Sequence, residues 1–351
     1  MEFSILASAG LGPERDVPSH EAYEFVMRMS QVASDSGYDA LGVANRHLAG
    51  PTDQFMSTLV MATHLLAAFP HMKVSSNVLL IPYHNPVMLA EQIATMCMIS
   101  PAKFLFGVGQ GYRPNEAAVF GIEHQERGRR LAESITIMRM LWGEGASSHD
   151  GEFWKIEGAD IGVKPPIAPP ILIAGDGSRA IGLIPERGGD FWYPSSRASL
   201  GFLREELPHF KAGLERAGKP YRGIPLLRDV CVAGNRAEAE EIMREGISRY
   251  LTRQMHAGQP GEDLRVSFDE LKTDRIIFGS SQEAAEELIA LNREFGAQFV
   301  NMRVFLPGMD RERVLDVVRQ LGEEVLPLVR KEVGTSSLFE DPVEPISSNG
   351  R

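Results

Sequence analysis

Three polar residues, Asn45, Arg46 and His47, come directly after the apolar run Tyr38–Ala44 and carry side chains that can do chemistry. An imidazole titrates near neutral pH, so His47 can accept or donate a proton. The guanidinium of Arg46 can hold an anion or stabilise negative charge that develops on a substrate. A histidine that only satisfies its own hydrogen bonds is the alternative interpretation of His47, and both interpretations stay open here.

Three alternate glycines, Gly107, Gly109 and Gly111, end the apolar run Phe104–Val108. Glycine permits positive φ angles and lets a ligand come close to the backbone. We therefore expect a strand to end here beside a ligand, with a tight turn as the alternative. The run is not a dinucleotide fingerprint, because its third glycine falls one residue early and no acidic ribose ligand follows at the right distance.

A second glycine turn, made of Gly175, Asp176, Gly177 and Ser178, follows the apolar run Ile171–Ala174 and precedes a predicted helix. Backbone N–H groups at a helix N-terminus bind anions, and Ser178 can both cap the helix and donate a hydrogen bond. A phosphate is the expected guest, provided that the Asp176 carboxylate points away from it. An ordinary helix cap is the alternative.

A polar pair, Ser76 and Asn77, interrupts the otherwise apolar predicted strand Lys73–Ile81. Buried amides need hydrogen-bond partners, and the edge of a planar heterocycle would supply them. An asparagine that caps a local bend of the backbone is the alternative interpretation.

Apolar runs of strand length alternate along the chain with amphipathic runs of helical period, which predicts an α/β fold with a parallel sheet. Eight or nine such units fit a (β/α)8 TIM barrel with insertions after several strands, and a doubly wound open sheet is the alternative. The predicted strands are Phe3–Ala9, Tyr38–Ala44, Lys73–Ile81, Phe104–Val108, Ile171–Ala174, Asp190–Tyr193, Leu226–Ala233, Arg275–Phe278 and Gln298–Leu306. The predicted helices include Val87–Ile99, Arg127–Trp142, Arg179–Arg187, Phe202–Gly218, Ala237–Leu251 and Arg311–Val329.

We expect a single domain over residues 1–332, since no change of composition marks a second one. Residues 151–170 are rich in Gly and Pro and predict an ordered excursion from the barrel. The weakly patterned segment 252–274 predicts a lid or insertion, and residues 333–351 predict a flexible tail.

Composition excludes several classes of function. The net charge of −11 and pI of about 5.4 argue against nucleic acids and anionic membranes as partners. No apolar run is long enough for a transmembrane helix, and the N-terminus lacks the basic region of a secretory signal, so we expect a cytoplasmic protein. The two cysteines, Cys97 and Cys231, predict neither disulfides nor a thiolate zinc site, and no histidines have metal-ligand spacing.

Several stretches taken together resemble the bacterial luciferase-like flavin monooxygenases over nearly all of residues 1–332. They are the stretch from Ser36 to Val43 with Asn45–His47, Asn85–Thr95, Ile99–Gly111, Glu116 with Phe120-Gly121, Pro170–Ser178, and Phe278–Ser280. The resemblance implies a TIM barrel that binds reduced FMN, or the deazaflavin F420, at the carboxyl ends of its strands.

The same resemblance implies roles for individual residues. The Asn77–Val78 bond falls where the family often has a non-prolyl cis peptide under the flavin ring. Gln110, Gly111 and Tyr112, together with the turn Gly175–Ser178, fall in the flavin-binding loops, and that turn meets the phosphate. Asn45-Arg46-His47 stands where luciferase-type members have Glu-His-His, and Gln110 stands where an arginine is common.

The implied function is a flavin-dependent monooxygenase that uses reduced FMN and O2, through a C4a-peroxyflavin, to oxygenate a small organic substrate. A separate flavin reductase would supply the FMNH2, because the chain lacks an NAD(P)H fingerprint, and the family suggests a homodimer. His47 would assist proton transfer, and Arg46 would orient the substrate or stabilise the peroxide. The alternatives are an F420-dependent hydride-transfer oxidoreductase and a flavin-binding protein without turnover.

Overall fold

A computed structural model describes residues 1–7, 19–48, 55–256, 267–306 and 309–340, with only the backbone described for 249–256. The strands are β1 Glu2–Leu6, β2 Ala40–Val43, β3 Lys73–Ser76, β4 Leu79–Leu80, β5 Phe104–Gly109, β6 Ser147–Asp150, β7 Lys155–Ala159, β8 Ile171–Ala174, β9 Phe191–Tyr193, β10 Ile224–Val232, β11 Ile276–Gly279 and β12 Ala297–Arg303. The α-helices are α1 Ser19–Asp35, α2 Thr58–Ala68, α3 Pro86–Ile99, α4 Pro114–Val119, α5 Arg127–Trp142, α6 Ser178–Gly182, α7 Leu200–Arg216, α8 Arg236–His256, α9 Phe268–Leu271, α10 Ser281–Phe295, α11 Arg311–Gln320 and α12 Leu326–Val333.

Ten of these strands form one curled parallel sheet in the order β11-β10-β12-β1-β2-β3-β5-β8-β9, with β4 also paired to β5. Because β9 at one end packs against β10 near the other, the sheet bends back on itself like a barrel. The first strand, β1, lies between β2 and the last strand, β12, as barrel closure requires. The predicted α/β fold of TIM-barrel type is confirmed.

Two apolar clusters hold the barrel together. The larger fills the space between the sheet and its surrounding helices, and the smaller fills the interior of the barrel. Alternation of side chains along each strand assigns residues to one cluster or the other. The interior cluster consists of Ala40, Leu105, Leu172, Phe191, Tyr193, Phe299 and Leu338.

Helix α10 shows how local sequence sets the boundaries of an element. Ser280 accepts a hydrogen bond from the backbone N–H of Glu283, whose side chain accepts one from the Ser280 N–H, so the two form a capping box. At the other end Gly296 adopts φ 62°, a left-handed conformation that glycine takes without strain. These two signals hold α10 between β11 and β12.

Four predicted elements differ from the structure. The predicted strand Lys73–Ile81 is broken at Asn77–Val78 into β3 and β4. The predicted helix Arg179–Arg187 is only α6, followed by turns, and the predicted helix Arg311–Val329 is interrupted by a π-helical segment at Leu321–Val325. The excursion over 151–170 contains a strand of the antiparallel hairpin β6–β7, which the sequence analysis missed.

Parts of the predicted lid and tail are also ordered. Helix α8 runs on to His256 and α9 occupies Phe268–Leu271, while residues 257–266 of the predicted lid lie outside the described residues. In the predicted tail, α12 extends to Val333, and Leu338 is only 2% exposed. Leu338 therefore packs against the barrel, whereas residues 334–336 and 340 are exposed, and residues 341–351 lie outside the described residues.

Candidate functional site

The predicted site residues meet at the carboxyl ends of four neighbouring strands. Asn45–His47 follow β2, Asn77 and Val78 separate β3 from β4, and Gln110–Tyr112 follow β5. The turn Gly175–Ser178 follows β8, which pairs with β5. Function in a barrel of this type sits on these loops, so the structure brings the predicted residues to one face.

The Asn77–Val78 peptide is cis, as the resemblance implies. Around it, the backbone of β5 comes very close: the Ser76 hydroxyl donates to the Gly107 carbonyl at 2.7 Å. A Cβ at Gly107 would overlap the Ser76 carbonyl oxygen, and one at Gly109 would lie 2.6 Å from Val78 Cγ2. Both glycines are thus required by the neighbouring strand, which differs from the predicted approach of a ligand.

The side chain of Asn77 finds its partners inside the protein. Its Nδ2 donates to the carbonyl and the hydroxyl of Ser75, at 3.1 and 2.9 Å, and its Oδ1 accepts from the Tyr193 hydroxyl at 2.7 Å. Asn301 Nδ2 donates in turn to Tyr193 at 3.4 Å. These partners already satisfy the amide within the protein, and the predicted contact of Asn77 with a heterocycle stays a prediction.

Asn45 has a structural role of the same kind. Its Oδ1 accepts a hydrogen bond from the backbone N–H of Leu80 at 3.1 Å, which ties the loop after β2 to β4. This contact fixes the position from which the next two residues, Arg46 and His47, extend. Arg46 lies over the Phe55 ring, 5.1 Å from its centroid.

His47 lies in an aromatic box at this face. Its ring meets Phe120 edge-on at 4.9 Å and Tyr83 at 5.9 Å, and the rings of Tyr83 and Phe120 stack at 4.9 Å. The His84 ring lies 6.4 Å away. Among the described residues, Nε2 of His47 and Nε2 of His84 are buried without a hydrogen-bond partner.

Burial keeps both imidazoles neutral. Desolvation lowers the pKa of His47 below its ordinary value of 6.5. It lowers the pKa of His84 to about 4, with the charge of His47 as a smaller cause. At neutral pH, His47 therefore presents a neutral imidazole that can accept a proton.

A buried carboxyl, Glu116, was missed as a site residue in the sequence analysis. It lies on α4, is 2% exposed, accepts a hydrogen bond from the His47 backbone N–H and faces Arg113 with 3.6 Å between Nη1 and Oε1. Burial raises the pKa of Glu116, opposed by Arg113, Arg46 and the His47 N–H. The spacing Arg113–Glu116 on a short helix after a glycine run was the signal available.

The glycine loop after β5 is held by a second arginine. Arg127 donates to the Gly111 carbonyl through Nη1 and to the His124 carbonyl through Nε at 2.7 Å. Gly111 has φ 74°, and a Cβ there would lie 2.6 Å from the Tyr83 hydroxyl. Of the other predicted loop residues, Gln110 is exposed and Tyr112 is 42% exposed, so both side chains reach the mouth of the barrel.

In the turn after β8, the residue that caps the following helix is not the predicted one. Gly177 is the N-cap of α6, and the Ser178 hydroxyl donates to Glu206 Oε1 at 2.9 Å. The predicted cap by Ser178 is therefore wrong. At Gly175 a Cβ would meet no atom within 4 Å, and Asp176 and Gly177 share the same open turn.

Charged residues line the opposite wall of the mouth. Arg303, at the end of β12, forms a two-pronged ion pair with Asp229 on β10, at 2.5 and 2.8 Å. A small cavity beside this pair is also lined by Ser196, Arg197 and Arg275. Arg303 is paired there with Asp229, and Arg275 Nε lies 3.6 Å from Asp274 Oδ1. The cavity of about 10 Å³ has room for no guest larger than a water molecule.

The described residues cover 1–7, 19–48, 55–256, 267–306 and 309–340. Within them, no group of three or more His, Cys, Asp or Glu side chains is placed to hold a metal ion. No helix in those ranges is long and apolar enough to cross a membrane.

Comparisons with known proteins agree with this geometry. A family model described as luciferase-like monooxygenase matches residues 1–298. An F420-dependent glucose-6-phosphate dehydrogenase of Kribbella flavida is 31% identical over 258 residues, which cover 71% of this chain and 76% of the relative.

Two solved structures show the same fold. The monooxygenase RslO1 from Streptomyces bottropensis has a TM-score of 0.82 at 19% identity, over 93% of this chain and 99% of its own. An F420-dependent secondary alcohol dehydrogenase, solved with an F420-acetone adduct, has a TM-score of 0.76 at 20% identity, over 94% of this chain and 99% of its own.

Proposed function

The chain belongs to the luciferase-like monooxygenase family of oxidoreductases, and from this premise we propose that it is an F420-dependent enzyme that transfers hydride from an anionic hydroxy compound. The Kribbella flavida relative is named for F420 dependence, and its identity to this chain is 31%, whereas the monooxygenase similarity stands at 19%. The proposal therefore replaces reduced FMN by the alternative cofactor of the sequence analysis.

The observation that carries this proposal is the neutral, buried imidazole of His47. Oxidation of an alcohol by hydride transfer needs a base that takes the hydroxyl proton as the hydride leaves. His47 Nε2 has no hydrogen-bond partner among the described residues and lies in an aromatic box at the mouth. Arg46, next in the chain, is placed to orient the substrate or to stabilise the oxygen that loses its proton.

The glycine turn after β8 fits the cofactor. Gly175 does not have a positive φ angle, so its backbone conformation does not require glycine. A Cβ there would also meet no described atom within 4 Å, so packing does not require glycine either. A bound cofactor explains it, since glycine gives room for close approach to the backbone. In this proposal the turn Gly175–Ser178 and the loop Gln110–Tyr112 hold the deazaflavin, which supplies the hydride acceptor when bound.

The substrate class follows from the opposite wall of the mouth. In this proposal a phosphate or carboxylate of the substrate pairs with Arg197 and Arg275, and the cavity of about 10 Å³ that they line opens to admit it. The name of the relative, a glucose-6-phosphate dehydrogenase, suggests a sugar phosphate as the first compound to test. Arg303 is already paired with Asp229. We therefore assign Arg303 a structural role in this wall and not the main contact with the substrate.

A cofactor titration tests the proposal. Purified protein is titrated with oxidised F420 and, separately, with oxidised and reduced FMN, and binding is followed by fluorescence and calorimetry. We expect F420 to bind at least tenfold more tightly than either form of FMN, and F420 to be reduced when a sugar phosphate is added without O2. Tighter binding of FMN, or no F420 reduction across a panel of hydroxy acids and sugar phosphates, would reject it.

A variant tests the substrate class. Arg275→Ala should raise the KM for a phosphorylated substrate about tenfold or more, because one charge-assisted pair is lost, and should leave F420 affinity unchanged. Arg293→Ala removes an exposed arginine paired with Glu332 and serves as the matched control. An equal change in both variants would contradict the assignment.

The monooxygenase of the sequence analysis remains the second candidate, with reduced FMN, O2 and a separate flavin reductase. The stacked rings of Tyr83 and Phe120 beside His47 favour it, because an apolar wall shields a reactive intermediate from water. Consumption of O2 with matching product formation, in the presence of FMNH2 and absence of F420, is the result that would establish it.

We also infer a homodimer from the surface of α2 and α3, which pack side by side. Val60 on α2 is 68% exposed, and Met88 and Met98 on α3 are 59% and 52% exposed. In this proposal these exposed apolar side chains pack against a second copy of the chain. Light scattering should give twice the mass of one chain, and Met88→Glu should shift the mass to that of one chain.

A further inference from the structure

Glu116 joins the two loops on which the proposed chemistry depends. It lies on α4, directly after the glycine loop of β5, and accepts a hydrogen bond from the backbone N–H of His47 in the loop after β2. A carboxyl that is 2% exposed and placed between two loops holds their relative position.

Two positively charged side chains, Arg113 and Arg46, lie near the carboxyl of Glu116. Arg113 Nη1 lies 3.6 Å from Glu116 Oε1, and Arg46 is close enough to lower the pKa of the carboxyl. Oε1 has no hydrogen-bond partner among the described residues, so the carboxyl is bound less completely than an ordinary buried ion pair. The single negative charge of the carboxyl therefore interacts with two guanidinium groups.

The groups that face His47 come from three parts of the chain. Tyr83 and His84, from the segment after β4, are a phenol and a neutral imidazole. The carboxyl of Glu116 comes from α4, and Phe120 is the residue directly after that helix. Arg46 comes from the same loop as His47. Arg127 lies beyond Tyr83 and hydrogen-bonds His124 at 2.5 Å.

We propose that Glu116 is a positioning residue: it fixes the His47 loop against the glycine loop and offsets the charges of Arg46 and Arg113 near the imidazole. The inference rests on the proposed function only where it concerns turnover. Arg113 and Arg46 act on the Glu116 carboxyl, and burial is the cause that lowers the pKa of His47. Without the carboxylate charge, we expect the two guanidinium groups to act on the imidazole as well. A positive surrounding disfavours the imidazolium, so the pKa of His47 must fall further.

Two substitutions separate the two parts of this role. Glu116→Gln keeps an oxygen that can accept the His47 N–H but loses the charge, and Glu116→Ala loses both. Glu123→Gln makes the same change of charge at an exposed residue nearby and is the matched control. The pKa of His47 is measured by NMR in protein without cofactor, with its signal assigned by comparison with His47→Asn.

We expect Glu116→Gln to lower the pKa of His47 by about 0.5 unit or more, with the control unchanged. The acidic limb of kcat/KM should move to lower pH by the same amount, and kcat should stay within about threefold. Glu116→Ala should lose about tenfold or more in kcat, which Gln restores. An unchanged pKa of His47 in Glu116→Gln would overturn the proposal, as would equal kcat in the Ala and Gln variants.

The measurement without cofactor keeps this inference distinct from the proposed function. If the pKa of His47 moves as expected but His47→Asn turns over at the native rate, the role of His47 as base is wrong while the role of Glu116 in placing charge stands. If Glu116→Ala fails to fold, the pKa measured in Glu116→Gln still decides the charge effect.

Discussion

Burial moves the pKa of His47 and the pKa of Glu116 in opposite directions. Desolvation disfavours the charged form of each group, so the pKa of the imidazole falls while the pKa of the carboxyl rises. Near pH 7 the imidazole is therefore neutral and open to a proton, whereas Arg113 and Arg46 hold the carboxyl toward its charged form. We propose His47 as the proton acceptor and Glu116 as the group that positions it.

Replacement of His47 tests that assignment. His47→Asn should lower kcat/KM by about 10²–10⁴ at pH 7, because the proton acceptor is lost, with little change in cofactor affinity. A base acts in its neutral form, so activity of the native enzyme should fall only as the pH drops through a pKa below 6.5. The measurement is kcat/KM against pH, with the exposed His20→Asn as control. An acidic limb above pH 6.5 would contradict the assignment.

The sequence predicted the residue types of the site better than their partners. Asn45 and His47 were singled out from their places after a strand, and Asn77 from its polar side chain within an apolar run, and local pattern determines both. The partners of Asn77, namely Ser75 and Tyr193, include a side chain 116 residues away in the chain. Spacing in one sequence carries no signal of such pairs, and the same holds for the contact of Glu116 with the His47 backbone.

At the scale of elements, two glycine segments that look alike in sequence have different physical causes. Gly107 lies on β5, where the backbone of Ser76 leaves no room for a Cβ. Gly175 lies in the turn after β8, where a Cβ would meet open space. The first glycine is required for strand packing, and for the second we propose a bound cofactor as the cause.

Gly107→Ala should therefore destabilise the fold. The added methyl overlaps the Ser76 carbonyl oxygen, and backbone cannot move aside as a flexible side chain does. Overpacking of this kind costs about 1–3 kcal/mol or more in the free energy of unfolding. Chemical denaturation measures the loss, and Gly162→Ala, where no atom lies within 4 Å, is the control. Equal stability of the two variants would show that the close approach is not present in solution.

Gly175→Ala should behave in the opposite way. The fold has room for the methyl group, so the free energy of unfolding should change by less than about 0.5 kcal/mol. The cofactor loses its close approach to the backbone, so its Kd should rise about tenfold or more. Titration of both Ala variants, at 162 and 175, gives the comparison. A native Kd in Gly175→Ala would remove this turn from the cofactor site.

The sequence also predicted the large elements better than the small ones. Helix α5 begins and ends at the predicted residues, because its amphipathic period runs unbroken between His124 and Gly143. The hairpin β6–β7 was missed, since its strands are mostly exposed and polar, as in Ser147–Asp150. Apolar alternation cannot reveal a strand that buries neither face.

At the scale of the whole molecule, the amino-terminal end of the barrel is closed by residues from distant parts of the chain. Glu2 on β1 binds Lys73 on β3, and Ser337 bonds both of them. The Phe339 ring packs edge-on against Phe191 and Phe299, at 5.3 and 5.2 Å. The segment was predicted to be loose because its few apolar residues show no period, and only the barrel interior gives them a partner.

Truncation tests whether this closure contributes to stability. A chain ending at Val333 loses the buried Leu338 and the half-buried Phe339, and burial of one such side chain contributes about 1.5–3 kcal/mol. The truncated protein should unfold at a temperature lower by roughly 5 °C or more, as measured by calorimetry. A chain ending at Glu340 keeps every described contact and should match the native protein. Because the candidate site lies at the opposite end of the barrel, cofactor affinity at 20 °C should be the same in all three proteins. Equal melting temperatures of the three proteins would show that residues 334–340 do not hold the barrel closed.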